Sequence, residues 1–213
     1  MYLWLITLFV SGCVYYRETS KLHIDDNTGW KTKSWVYGGV QQNWLDNDSV
    51  RIMVRPHNYG KYSAITILPV PLIPIPAEDN VKRDIFAISL VFASGINTSQ
   101  GVPNLFRFDP YQVTLQTVDG KTSWPIGYIR PDYNDHRCYQ FDYDRQYLLN
   151  SEVQNLPSGW LEFPEEKNGR CFYLIYGMAP PPPIETFSLK INALKLGDKL
   201  LNVPKMTFRK GYD

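Results

Sequence analysis

The side chains best suited to chemistry are acids, an amide and aromatic rings interleaved in one short segment of the chain. Asp132, Asn134 and Asp135 offer oxygen atoms, and Ca²⁺ takes six to eight oxygen ligands. Tyr133 and Tyr143 offer flat rings on which a sugar could stack. These five residues form a candidate ligand-binding site for Ca²⁺ or a glycan. The alternative is a polar turn leading into a half-buried strand. The spacing lacks the closing Glu of an EF-hand, so we predict no resident metal.

Catalysis has little support in the sequence. The three histidines are His23, His57 and His136, and His136 has acidic neighbours with Ser123 close in sequence. No GxSxG, HExxH, SxxK or phosphate-binding loop is present. We therefore predict a protein that has no catalytic residues and needs no cofactor, with a hydrolase as the least favoured alternative.

Charge and composition exclude further classes of protein. The 213 residues include 22 Lys+Arg and 21 Asp+Glu, for a net charge of +1, whereas binding nucleic acid through bulk charge needs a basic excess. Hydrophobic residues make up 44% and charged residues 20%, which is typical of a folded chain. The 16 prolines and 14 glycines divide the chain into short segments, so we expect neither long helices nor a βαβ repeat.

The N-terminus has the pattern of an export signal. Residues 2–12 carry no charge and are mostly apolar. As a helix they would reach about 16 Å, half of a bilayer core, which is too short for a membrane span and fits a secretory signal. The stretch ends in Val10-Ser11-Gly12-Cys13, which resembles the lipobox of bacterial lipoproteins.

The resemblance implies a lipid anchor on Cys13. In that family the thiol receives a diacylglycerol group, the chain is cut before the Cys, and the new amine is usually acylated. Each buried CH₂ contributes about 0.8 kcal/mol, so several acyl chains hold a protein stably. Val14 follows the Cys where Asp would imply retention in the inner membrane, so the resemblance implies the outer membrane, facing the periplasm. The alternative is that residues 2–12 form a buried first strand and that Cys13 is an ordinary core thiol.

The same resemblance suggests how the chain is divided. Residues 1–12 would be the signal peptide. Residues 13–33, which are polar and mixed after the Cys, are predicted to be the lipidated Cys and a tether. Residues 34–213 are predicted to form a single domain.

The remaining cysteines, Cys138 and Cys171, are a candidate disulfide. If Cys13 is lipidated, they are the pair that is left. An oxidising periplasm would allow the bond, and closing a loop of about 30 residues is worth roughly 3–4 kcal/mol in the chain-entropy model. The alternative is two separate buried thiols.

From residue 34 onward, apolar residues recur mostly with the period of two that is typical of strands. The apolar run at 84–93 predicts a strand buried on both faces, and Asp119-Gly120 predicts a hairpin turn. A short helix is predicted at 144–153. We predict an all-β fold, an antiparallel immunoglobulin-like β-sandwich with at most one short helix. The predicted strands are 34–40, 50–55, 62–68, 84–93, 111–118, 122–129, 137–143, 170–176, 185–191 and 200–208.

The end of the chain supports this prediction. Phe187, Leu189 and Ile191 alternate with polar residues, a turn follows at 196–199, and a second alternating run ends at Phe208. This pattern resembles the closing hairpin of immunoglobulin-like domains in many bacterial lipoproteins.

Two proline-rich segments could contact a partner. The segment at 67–76 alternates proline with Val, Leu and Ile, so it is stiff and apolar. It would dock a partner or touch the membrane, or it would lie across its own sandwich and block edge pairing. The run of four prolines within 179–184 would bind a partner or stiffen a connection between strands that must not pair. The candidate partner-binding residues are Pro69, Pro71, Leu72, Ile73, Pro74, Ile75 and Pro76.

Together these features predict a lipid-anchored cell-envelope protein that acts by binding or scaffolding in an envelope assembly. Its expected partners are the membrane, through Cys13, and an envelope protein. We expect no nucleic acid partner. A periplasmic module that binds a small ligand, glycan or Ca²⁺ is the main alternative.

Overall fold

The computed structural model describes residues 13–25, 28–37, 40–58, 62–66, 84–95, 105–130, 152–164 and 169–212. Within these ranges the chain forms sixteen strands and a single turn of 3-10 helix at Pro110–Gln112. The strands are β1 Cys13–His23, β2 Lys31–Tyr37, β3 Val40–Asn47, β4 Val50–Pro56, β5 Tyr62–Thr66, β6 Phe86–Ser94, β7 Leu105–Phe108, β8 Val113–Thr117, β9 Thr122–Ser123, β10 Gly127–Ile129, β11 Leu161–Pro164, β12 Arg170–Tyr176, β13 Phe187–Ile191, β14 Leu194–Leu196, β15 Lys199–Leu200 and β16 Met206–Tyr212.

The strands form three antiparallel sheets. The first sheet has the order β5-β1-β16-β13-β8-β9, the second β10-β12-β6-β4-β3-β2, and the third β11-β7-β14-β15. Antiparallel pairing suits this chain because short strands can be joined by tight turns. The predicted all-β, antiparallel sandwich is confirmed.

One hydrophobic core lies between the first and second sheets. Phe86 of the second sheet meets Phe187 of the first edge-to-face, with ring centroids 5.7 Å apart. Phe187 also stacks on its cross-strand neighbour Phe208 at 4.9 Å. Such ring pairs add to the free energy gained from burying their area, so they help to fix how the two sheets face each other.

The third sheet closes one end of this core with phenyl rings. Phe92 of β6 lies 4.8 Å from Phe108 of β7. Phe163 of β11 lies 5.4 Å from Phe106 of β7 and 5.1 Å from Phe172 of β12. All five rings are buried, so aromatic side chains supply the contact between the second and third sheets.

The second sheet is buried on both faces at its centre. Ile88, Leu90 and Phe92 of β6 point into the main core. The alternate residues, including Val91, belong to a second buried cluster with Met53 and other residues. Strands covered on both faces have near-continuous apolar sequences, and the predicted burial of both faces at 84–93 is confirmed.

Over its described residues, the first sheet mainly buries one face, although Ser188 on the outward face is also buried. In β13, Phe187, Leu189 and Ile191 are buried, whereas Lys190 is exposed. In β8 the alternation places Gln116 on the exposed side. This pattern matches the period of two along a strand.

The structure corrects the tether predicted at 13–33. Cys13–His23 is β1, whose first five residues pair with β5 and whose last six pair with β16. Ser20 and Leu22 are buried, while Lys21 between them is half-buried. The polar composition of this segment is therefore that of a strand with one face towards solvent. The boundary predicted at residue 34 is also wrong, because β1 and the start of β2 belong to the sandwich.

The return strand predicted at 122–129 is two strands in different sheets. Thr122–Ser123 pairs with β8 in the first sheet, and Gly127–Ile129 pairs with β12 in the second. Pro125 lies between them, and proline cannot donate to a strand ladder. The turn before this segment is as predicted, because Gly120 has φ 81° and closes the β8–β9 hairpin.

Two further predictions are refined. The segments ending in Ile191 and Phe208 do pair, as β13 and β16. The turn between them belongs to the separate β14–β15 hairpin of the third sheet. The strand predicted at 34–40 spans the end of β2 and the start of β3. The strand predicted at 137–143 lies outside the described residues, as does the predicted helix apart from Glu152 and Val153, which are neither helix nor strand.

Candidate functional site

Several predicted site residues lie outside the described part of the chain. They are Asp132, Tyr133, Asn134, Asp135 and Tyr143 of the candidate ligand site, His136, Cys138, and Pro69, Pro71, Leu72, Ile73, Pro74, Ile75 and Pro76 of the first proline-rich segment. Their proposed roles stay predictions.

Cys13, the candidate lipidation site, is the first residue of β1. Its cross-strand neighbour is Thr66, the last residue of β5. The apolar segment at 67–76 follows Thr66 directly in the sequence.

Cys171, one half of the candidate disulfide, lies on β12. It is buried in the second cluster, and its cross-strand neighbour is Val91. Its pairing with Cys138 stays a prediction.

The run of four prolines connects β12 of the second sheet to β13 of the first. Pro181 and Pro183 are buried, and the Glu185 amide donates to the Pro182 carbonyl at 2.9 Å, closing a turn. The run therefore connects two strands that do not pair, as predicted, while its stiffness stays a prediction.

A buried polar cluster was not found from the sequence. The His57 ring Nε2 lies 2.5 Å from Ser89 Oγ, and the ring centroid lies 5.7 Å from that of Tyr173. His57 and Ser89 are 1% and 0% exposed, so this Ser–His pair is buried away from solvent. The sequence signal was the alternation of β4, which places Arg55 and His57 on the same side as Met53.

Asn58, the next residue, forms a separate set of buried bonds towards the first sheet. Its Nδ2 donates to Ser20 Oγ at 2.8 Å and to the Pro181 carbonyl at 3.0 Å. Buried polar groups need such partners, and these bonds join the end of β4 to β1 and to the proline connection.

The outward face of the first sheet is basic. Lys21 of β1 is the cross-strand neighbour of Arg209 of β16, and Lys190 is exposed on β13. Lys205 Nζ donates to Gln116 Oε1 of β8 at 3.0 Å. We call these four cations, Lys21, Lys190, Lys205 and Arg209, the basic face.

A turn at the end of this sheet carries a perturbed carboxyl group. The Thr117 hydroxyl donates to Asp119 Oδ1 at 2.5 Å, and the Lys121 amide donates at 3.3 Å. Both bonds lower the pKa of Asp119 below its ordinary value, and the bond from Thr117 has the larger effect. The stabilising effect is present above the ordinary pKa of an aspartate and is lost as the pH falls through the lowered pKa.

A second exposed surface is apolar. Trp124, Ile126 and Val153 are 55%, 62% and 42% exposed. Val153 packs against Gly127, and Ile126 packs against Gly177, so both lie along the β10 edge of the second sheet. We call these three side chains the apolar edge. Grouped exposed apolar residues are typical of contact surfaces.

Neither a metal-binding cluster nor a membrane-spanning helix occurs within the residues that the structure describes. No group of three or more His, Cys, Asp or Glu side chains could hold a metal ion there. No helix there has the length and hydropathy that a bilayer span requires.

Comparison of the chain with protein-family models, with curated proteins and with solved structures finds no match in any of the three.

Proposed function

We propose that this chain is a lipid-anchored cell-envelope protein that acts by binding or scaffolding in an envelope assembly. The observation that carries the proposal is the sequence Val10-Ser11-Gly12-Cys13 at the end of an uncharged apolar stretch. A thiol placed after two small residues is what the lipobox resemblance requires.

The position of Cys13 determines what the anchor would do. Because Cys13 is itself the first residue of β1, acyl chains on it would hold the sandwich directly at the membrane surface. The proline-rich apolar segment at 67–76, which the sequence predicts to be stiff, is suited to the same interface.

The apolar edge supports a protein partner. Trp124, Ile126 and Val153 present one large ring and two branched side chains to solvent. Aromatic residues, tryptophan above all, dominate the binding energy of protein interfaces. An envelope protein that covers this edge would bury them.

The anchor is tested by intact mass. The protein is extracted from membranes of its native host, beside a Cys13→Ser variant. We expect the wild type to lack residues 1–12 and to carry added mass of lipid size, and the variant to do neither. Recovery of the unmodified full-length wild type in the soluble fraction would contradict the anchor.

The partner is tested by crosslinking in the envelope. A Trp124→Ser, Ile126→Ser double variant is compared with Leu200→Ser, which removes an apolar side chain that is 57% exposed on the third sheet. We expect a crosslinked product with wild type and Leu200→Ser that the double variant loses. Recovery of wild type as a free monomer alone would contradict the binding role.

A further inference from the structure

The basic face extends across three neighbouring strands, β1, β16 and β13. Lys21 lies opposite Arg209, whereas Lys190 lies further along the sheet, since its neighbour Leu189 pairs with Met206. Lys205, which precedes β16, donates to Gln116 of β8 near Lys190. At about 4.8 Å between strands and about 3.3 Å per residue, the cations cover about 10 Å across the sheet and about 13 Å along it. This is a flat array of charge rather than a pocket.

No carboxylate lies among the described outward positions of these strands. The other outward side chains are His23, Thr114, Gln116, Ser188 and Thr207, and Thr122 on the neighbouring β9. Within the described part of the chain, the ion pairs involve other residues than Lys21, Lys190 and Arg209. Among the described residues, these three charges therefore have no acidic partner.

Three cations on other surfaces of the protein have local partners. Lys33 pairs with Asp46 at 2.5 Å, and Arg107 pairs with Glu162 at 2.7 Å. Lys195 Nζ lies 4.9 Å from the ring centroid of Trp160. The chain as a whole has a net charge of only +1, so the basic face is a local excess and not a consequence of overall charge.

Gly211 leaves room for one of these cations, Lys21, to lie along the sheet. A Cβ at this position would lie 2.2 Å from Lys21 Cγ and 2.7 Å from Lys21 Cε. The absence of a side chain lets the Lys21 stem lie flat across β16. Lysine stems commonly cover a surface in this way while the ammonium group stays in water.

We propose that the basic face binds the anionic headgroups of a phospholipid membrane. A membrane presents a plane of phosphates that attracts Lys and Arg without burying them. Protein interfaces instead need aromatic or aliphatic anchors and are depleted in Lys, and the described outward positions of these strands hold no such anchors. The proposal rests on the anchor proposed above, because lipid on Cys13 would bring this same sheet to the membrane.

The test uses the full chain with Cys13→Ser, so that no acyl chain contributes. Its binding to vesicles of phosphatidylcholine is compared with its binding to equal parts phosphatidylcholine and phosphatidylglycerol. Residues 1–12 would contribute to binding of both vesicle types. The readout is therefore the ratio of the affinity for anionic vesicles to the affinity for phosphatidylcholine vesicles. We expect tighter binding to the anionic vesicles, weakened by salt. Adding Lys21→Gln, Lys190→Gln and Arg209→Gln should lower the ratio about fivefold for each charge removed.

A matched control removes two lysines and one arginine from other surfaces. Lys31→Gln, Lys199→Gln and Arg130→Gln all lie at exposed positions off the basic face. We expect this variant to keep most of the preference for anionic vesicles. Equal losses in the two triple variants would overturn the proposal, as would equal binding of the parent to both vesicles. Since Cys13 is already replaced, these outcomes are independent of whether the anchor exists.

An acidic protein partner is the other outcome. If the variant lacking Lys21, Lys190 and Arg209 keeps the vesicle ratio but loses a crosslinked envelope protein, the face binds that protein and the membrane proposal is overturned.

Discussion

The two large sheets contribute to the same core but differ on their outward faces. In the second sheet, the outward residues Ala87, Val91 and Tyr173 are buried. In the first sheet, the outward residues include Lys190 and Arg209, which are exposed. One sheet is therefore covered on both faces, and the other is covered on one.

The difference follows from how apolar residues are distributed along the strands. β6 and β12 are nearly continuous in apolar residues, whereas β8 and β13 alternate. A second apolar face has to be covered, while an alternating strand leaves a polar face for water or for a partner. The second sheet therefore buries apolar side chains on both faces, whereas the first sheet leaves a polar and basic face exposed.

A lysine placed on the outward face of each large sheet should give the largest difference in stability between the two sheets. Val91→Lys buries a charge at a position that is 0% exposed, so we expect a loss of about 3–5 kcal/mol in the free energy of unfolding. Thr114→Lys puts the same group on the open face of β8 and should change stability by less than about 0.5 kcal/mol. Urea denaturation measures both. Equal losses would show that the faces do not differ.

Two glycine substitutions sharpen the same comparison. A Cβ on Gly95 would lie 2.1 Å from the Asp48 carbonyl oxygen, which is backbone and cannot move aside. We expect Gly95→Ala to cost about 2–3 kcal/mol. In Gly211→Ala the new group meets only the flexible Lys21 side chain, so the cost should be less than about 0.5 kcal/mol. Thermal unfolding of the two variants checks this order, and a larger loss for Gly211→Ala would contradict it.

A smaller gain is expected inside the second sheet. The Tyr176 hydroxyl is buried and has no hydrogen-bond partner within the described part of the chain. Removing an unsatisfied buried group is favourable, so Tyr176→Phe should raise the free energy of unfolding by about 1 kcal/mol in urea denaturation. Unchanged or lower stability would mean that the hydroxyl is satisfied.

The same residue gives a dependence on pH. Burial raises the pKa of Tyr176 above the ordinary value of about 10. Above that pH the unfolded chain releases the proton while the folded chain keeps it, so stability falls as the pH rises. Tyr176→Phe should therefore unfold at higher pH than the wild type in an alkaline titration.

Local patterns predicted those elements whose signal is continuous in the sequence. The apolar run of β6 and the turn at Asp119-Gly120 needed no knowledge of neighbours. β1 was missed because its buried residues include Ser20, so the strand resembles a polar linker. The strand predicted at 122–129 was too long. The chain leaves one sheet at Pro125 and joins another, and this change of sheet depends on neighbours that the local pattern does not show.

The candidate surfaces could not be predicted from the sequence for a different reason. Lys21 and Arg209 are separated by a long stretch of chain and become neighbours only through the register of β1 and β16. Lys190 joins the same face of the sheet through the β13–β16 pairing. His57 and Ser89 are brought together in the same way by the β4–β6 pairing. Cross-strand register is set by the whole core, so a linear pattern does not contain it.

The most direct test of this account is lysine acylation, read by mass spectrometry, on the lipidated protein held by its anchor on vesicles. We predict that Lys21 and Lys190 react more slowly on vesicles containing phosphatidylglycerol than on phosphatidylcholine alone, while Lys31 and Lys199 react equally on both. Equal reactivity of all four lysines on the two vesicle types would contradict the account, because the open face of the first sheet would then not be the surface that meets the membrane.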